Sequence, residues 1–137
     1  MNFIFLITII RKIVSGLILI SILKAGLLVK RVEPPTWWND FDNRNLQIMI
    51  YGENMASVRS VEIYDKPRGL TETIRINKIK RTGNPNYLFL DLELGKNLEP
   101  GEYNFLLKGS VLDRYVETSF KYYFNSKTKN RVYANGF

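Results

Sequence analysis

The stretch NYLFLDLEL, Asn86 to Leu94, puts Leu88, Leu90, Leu92 and Leu94 on one side of an extended chain. Phe89, Asp91 and Glu93 fall on the other. Successive side chains of a strand point to opposite faces of its sheet, so strict alternation marks a strand with one buried face. The same period of two recurs on either side. NLQIMIYG (Asn45 to Gly52) sets Leu46, Ile48 and Ile50 against Gln47, Met49 and Tyr51, and VRSVEIYD (Val58 to Asp65) sets Val61 and Ile63 against Glu62 and Tyr64. LTETIRINKIK (Leu70 to Lys80) aligns Ile74 with Ile76. GEYNFLLKG (Gly101 to Gly109) aligns Tyr103, Phe105 and Leu107, and VETSFKYYF (Val116 to Phe124) aligns Val116, Thr118, Phe120, Tyr122 and Phe124.

Between these runs lie turn signals: Tyr51 to Asn54, Lys66 to Gly69, Thr82 to Asn86 and Glu99 to Gly101. With a further strand leading into Pro34, the pattern gives about seven strands and no amphipathic helix after residue 30. That predicts an all-β fold, an immunoglobulin-like antiparallel β-sandwich without the disulfide, preceded by an apolar leader helix. Two packed sheets would bury the leucine and aromatic faces, each fully buried large side chain contributing roughly 1.5–3 kcal/mol.

The leader and the strands meet at RVEPPTWW, Arg31 to Trp38, which holds both tryptophans of the chain. Two prolines stop any helix there and keep Glu33 extended. Upstream, residues 1–29 are almost wholly apolar, interrupted by Arg11, Lys12 and Lys24. The eleven-residue run Ile13 to Leu23 suits the core of a signal peptide and is short for a span of about twenty residues. Leu23-Lys24-Ala25 is a poor cleavage site. The expectation is export, with a periplasmic location or an inner-membrane anchor if residues 1–28 stay attached. Residues 29–125 form the expected sandwich, and residues 126–137, polar and basic, the expected linker toward a further domain.

The chain has 137 residues, enough for one domain once a leader is subtracted, and a net charge of +7. Three of its 20 basic residues lie in the leader, leaving 17 against 13 acidic ones, a mild +4. Lys78, Lys80, Arg81, Lys121, Lys127, Lys129 and Arg131 lack the interleaved aromatics of a nucleic-acid surface, so no nucleic-acid partner is expected. There is no cysteine and no histidine. That excludes disulfides, thiolate catalysis, a lipid-modified cysteine and histidine-dependent triads. The segment WNDFDNRN offers Asp40, Asp42 and Asn43 as oxygen ligands but lacks the glycine and closing glutamate of an EF-hand. No metal and no cofactor are expected.

Asp91 and Glu93 alternate onto one face and invite comparison with a glycosidase carboxylate pair, but they read as a solvated outer face. Trp37 and Trp38 offer flat apolar surfaces to sugar rings; the structural alternative is that they cover an open end of the sandwich and fix its first strand. In an extended chain they point apart, so at most one joins a flat platform. Tyr51, Tyr64 and Tyr87, at strand ends or outer faces, extend the possible sugar-contacting surface. Asn54, Asn84 and Asn86 read as turn residues.

Four segments in order, VKRVEPPTWW, LQIMIYGENM, NPNYLFLDLEL and EPGEYNFLLKG, resemble the N-terminal domain of bacterial cyclomaltodextrinases and neopullulanases, members of the α-amylase superfamily. The resemblance spans Val29 to Phe124, and the closing RVYANGF is similar to the connector before the family's catalytic barrel. It implies a β-sandwich placed before a (β/α)₈ barrel, contributing to substrate handling and dimer contacts. This sequence holds none of the barrel's histidine-bearing motifs, so no catalytic residue is expected in it. The function expected is that of a non-catalytic accessory domain, binding or positioning α-glucan oligosaccharides through Trp37, Trp38, Tyr51 and Tyr87. It would pack on an α-amylase-type barrel in cis or in trans. The alternatives are an inactive truncated fragment of an α-glucan hydrolase and an exported interaction module without sugar affinity.

Overall fold

A computed structural model describes residues 2–23, 26–65 and 69–127, without the side chains of residues 14–23. The expected linker, save Ser126 and Lys127, lies outside the described residues, as does most of the turn signal at Lys66–Gly69.

Helix α1 (Phe3–Leu23) leads, and its side chains from Phe3 to Ile13 are exposed. Nine strands follow among the described residues: β1 (Leu28–Glu33), β2 (Thr36–Trp38), β3 (Asn45–Glu53), β4 (Val58–Asp65), β5 (Gly69–Leu70), β6 (Ile74–Arg81), β7 (Tyr87–Leu94), β8 (Gly101–Val111) and β9 (Arg114–Asn125). Seven are long and match the seven expected; β2 and β5 are short additions. They form two sheets, β1-β3-β7-β6 and β2-β9-β8-β4-β5. The first has the ABED order of an immunoglobulin sandwich, and the second contains its GFC order with a short strand at each edge.

The alternation predicts the core well. Leu46, Ile48 and Ile50 of β3 and Leu88, Leu90, Leu92 and Leu94 of β7 face Phe105 and Leu107 of β8 and Phe120, Tyr122 and Phe124 of β9, all buried. The aromatics interlock: Phe105 stacks on Phe120 at 5.0 Å between centroids, and Tyr122 meets Phe124 edge-on at 5.2 Å. Buried Tyr103, near the start of β8, donates its hydroxyl to the Glu99 carbonyl four residues upstream at 2.9 Å. This is the tyrosine corner of immunoglobulin-type sandwiches, and it fixes the connection entering β8.

One expected strand is divided. Leu70 belongs to β5 in the five-stranded sheet, whereas Ile74 opens β6 in the four-stranded one. Thr71 to Thr73 makes the crossing, with the two threonine hydroxyls bonded at 2.7 Å. Ordinary period-two reading cannot see a strand change sheets when apolar residues flank the crossing. Within β6 the register then slips between Ile76 and Lys78, a bulge at Asn77.

Between β1 and β2 the chain also changes sheets, through Pro34 and Pro35. The β1 strand can lie close to β3 only because position 52 is glycine. A Cβ there would sit 1.9 Å from the Leu28 carbonyl oxygen. That approach brings Arg31 beside Tyr51 in the pairing register.

Candidate carbohydrate-binding face

Residues paired across antiparallel strands share a face, so the register defines the outer surface of the four-stranded sheet. Tyr51 pairs with Tyr87, Met49 with Phe89, Gln47 with Asp91 and Asn45 with Glu93. The two tyrosine rings touch at 5.1 Å between centroids with a 43° tilt. Tyr51, Tyr87, Met49 and Phe89 are all half-buried, forming an apolar strip along the centre of an otherwise polar sheet face. No hydrogen bond to either tyrosine hydroxyl occurs among the described residues.

Ion pairs border the strip. Arg31 pairs with Glu33, and Lys30 Nζ lies 2.8 Å from Glu53 Oε1, which raises the lysine pKa chiefly through that hydrogen bond. Lys80 Nζ lies 2.6 Å from Asp91 Oδ2, and Gln47 donates to Asp91 Oδ1 at 2.6 Å. Arg75 pairs with Glu93. The Asp91 carboxyl is lowered, first by the Gln47 hydrogen bond and then by Lys80; that of Glu93 is lowered first by Arg75. Both carboxylates are therefore held ionised. A retaining glycosidase needs one of its pair protonated, so these two are hydrogen-bond acceptors rather than acids.

The tryptophans lie elsewhere. The β2 strand that carries them runs parallel to the end of β9, pairing Trp37 with Phe124 and Trp38 with Asn125 in the other sheet. The rings meet edge to face at 6.5 Å and 66°, and both lie against Phe41, at 5.3 and 5.2 Å. Trp37 packs on the core, and its Nε1 is buried with no hydrogen-bond partner among the described residues. Lys127 Nζ stands 4.6 Å from the Phe41 ring, and the Lys127 amide donates to Asp40 Oδ2 at 2.8 Å. Asn39 extends the pairing by donating its amide to the Asn125 carbonyl at 2.9 Å. This cluster closes one end of the sandwich and clasps the chain as it leaves β9.

The four residues singled out in the sequence thus separate into two pairs on different sheets. Tyr51 and Tyr87 come together on one sheet face; Trp37 and Trp38 come together on the other sheet beside Phe41, at crossed ring planes, with Trp37 packed on the core. Tyr64 donates its hydroxyl to Glu62 Oε2 at 2.5 Å, on the outer face of the five-stranded sheet. Asn54 takes a left-handed conformation with φ 57° and donates to the Gly26 carbonyl at 2.7 Å, and Asn84 Oδ1 accepts from the Asn86 amide at 3.0 Å. Both are turn roles. Sequence reasoning missed Met49, Phe89 and Phe41 as surface partners. The signal was present for the first two, since both are apolar residues on the polar side of their alternation.

The family model for the cyclomaltodextrinase N-terminal domain matches residues 31–128. The chain belongs to that family. A cyclomaltodextrinase N-terminal domain is non-catalytic and accompanies an α-amylase-type catalytic domain. The match stops one residue past Lys127, so the clasp at Asp40 lies at the boundary of the cyclomaltodextrinase N-terminal domain.

Proposed function

We propose that this accessory domain holds α-glucan chains for an α-amylase-type catalytic domain, in the same polypeptide or another, on the outer face of its four-stranded sheet. The observation that carries the reading is the Tyr51–Tyr87 pair. Its two tilted rings stand on a sheet that keeps them in place, and their hydroxyls have no hydrogen bond among the described residues. Sugar C–H edges pack on such rings while a phenol hydroxyl meets a ring substituent. Trp37 and Trp38 serve this reading by fixing the domain rather than by touching glucan. Residues 1–28 act as a signal peptide or membrane anchor that exports the domain. The exposed apolar side chains of α1 from Phe3 to Ile13 support that role, since such a surface is costly to leave in water. Residues 29–125 are the sandwich, and 126–137 link it to what it serves.

The test is calorimetric titration of the full chain with maltoheptaose. Saturable heat is expected, lost in Tyr51→Ala and Tyr87→Ala and kept in Tyr64→Ala. Equal binding by all three variants, or none by the unaltered chain, sinks the reading.

A further inference from the structure

Farther along the same sheet face as the tyrosine pair lies an open trough of about 400 Å³, bordered by the polar side chains of Asn45, Gln47, Asn77 and Asp91 together with Leu46 and Leu92. Its position follows from two backbone facts. Gln47 and Asp91 stand four register positions along β3 and β7 from Tyr51 and Tyr87, with Met49 and Phe89 between them on the same face. Asn77 reaches it because the register slip in β6 falls there, and a bulge re-aims the side chain of its extra residue. From Tyr51 to Asn45 the strand runs roughly 20 Å at its ordinary rise per residue. The face therefore grades from aromatic, through Met49 and Phe89, to amide and carboxylate.

The trough's hydrogen-bonding groups are only partly used within the protein. Gln47 spends its amide N–H on Asp91 and keeps its carbonyl oxygen. Asn77 accepts from Arg75 Nε at 3.1 Å and gives a long 3.4 Å bond to Glu93. Asp91, ionised between Gln47 and Lys80, keeps lone pairs on both oxygens, since a carboxylate accepts up to about four bonds. Vicinal hydroxyls are what such a set of short amides and one carboxylate recognises. Its carboxylate disfavours an anionic ligand.

We propose that this trough is a second glucose subsite, on the same sheet face as the tyrosine pair and about 13 Å from it, that reads the hydroxyls of a unit farther along the chain than a disaccharide reaches. The domain then grips several units of one α-glucan chain rather than a single ring. The proposal rests on the glucan reading above.

The experiment is titration of the full chain with maltose and with maltoheptaose, for the unaltered protein and for Gln47→Ala, Asn77→Ala and Tyr51→Ala. Gln47 and Asn77 are exposed, so their truncation leaves the core intact. Maltoheptaose should bind at least about tenfold more tightly than maltose. Each trough variant should weaken maltoheptaose roughly fivefold, the loss of about one net hydrogen bond, and leave maltose unchanged. If Tyr51→Ala abolishes binding while the trough variants match the unaltered protein, the subsite falls and the tyrosine reading stands. Equal affinity for the two sugars overturns the subsite as well. Loss in the trough variants alone removes the tyrosines and keeps the trough, and no binding of either sugar removes both.

Discussion

The two outer faces of this sandwich are built from the same alternating pattern and end in opposite chemical states. On the outer face of the five-stranded sheet three tyrosines are tied to carboxylates. Tyr64 donates to Glu62, Tyr115 to Glu117 at 2.7 Å and Tyr123 to Glu102 at 2.7 Å. Lys108 joins Glu62 at 2.6 Å and Lys121 joins Glu102 at 3.3 Å. On the four-stranded sheet the tyrosines meet each other instead, and carboxylates take their partners from cations and amides on adjacent strands. A tyrosine whose hydroxyl is bonded within the sheet has less to offer a sugar. On the glucan reading proposed above, aromatic content alone does not make a binding face; what matters is which polar groups the sheet leaves unspent.

Four changes would break or sharpen this contrast. The largest effect is expected from Gly52→Ala, which pushes β1 off β3 and acts on the four-stranded face alone. Overpacking of this kind costs about 1–3 kcal/mol, measurable as a lowered denaturation midpoint in urea, with loss of maltoheptaose binding in the variant still folded. Next, Trp37→Ala should cost about 2 kcal/mol of stability by opening the end of the sandwich, while maltoheptaose affinity measured below the unfolding transition stays unchanged. A fall in affinity without a fall in stability would return Trp37 to the ligand.

A smaller effect concerns acid. The Glu62, Asp91 and Glu93 carboxyls titrate below their ordinary values of 4.5, 3.8 and 4.5 in the folded chain, held there by Lys108, Gln47 and Arg75 as the leading partners. As pH drops the unfolded chain takes up protons first. Stability is full above those ordinary values and declines below them. These groups are half-buried and open to solvent on one side, so the loss is modest and salt-sensitive; Glu93→Gln should flatten the acid limb of urea midpoints between about pH 5 and 3. The smallest change is spectroscopic. The Tyr123 phenol is held above its ordinary 10.0 chiefly by its bond to Glu102. Glu102→Gln should lower its ionisation pH in an ultraviolet titration without altering sugar binding.

Much of the fold was legible because the alternation in Asn45–Gly52, Asn86–Leu94 and Val116–Phe124 is strict, and burial follows strict alternation directly. The crossing at Thr71–Thr73 was not, since a strand that changes sheets keeps its local pattern. Nor was β2, because three residues paired in parallel with β9 depend on a partner some 87 positions away, as Trp37 with Phe124 illustrates. For the candidate face, each tyrosine was visible singly. Their meeting was not, for it depends on the register of β3 against β7. Asn77 was hidden for the same reason, as a bulge is a property of two strands together. The separation of Trp37 and Trp38 from the tyrosines likewise needed the sheet order.

The pairing of β2 with the end of β9 also has a mechanical side. The two segments run in the same direction, so a pull ahead of Thr36 against a pull behind Asn125 slides them lengthwise. Bonds so loaded share the force at once instead of opening one after another, and the hold of Asp40 on the Lys127 amide adds to them.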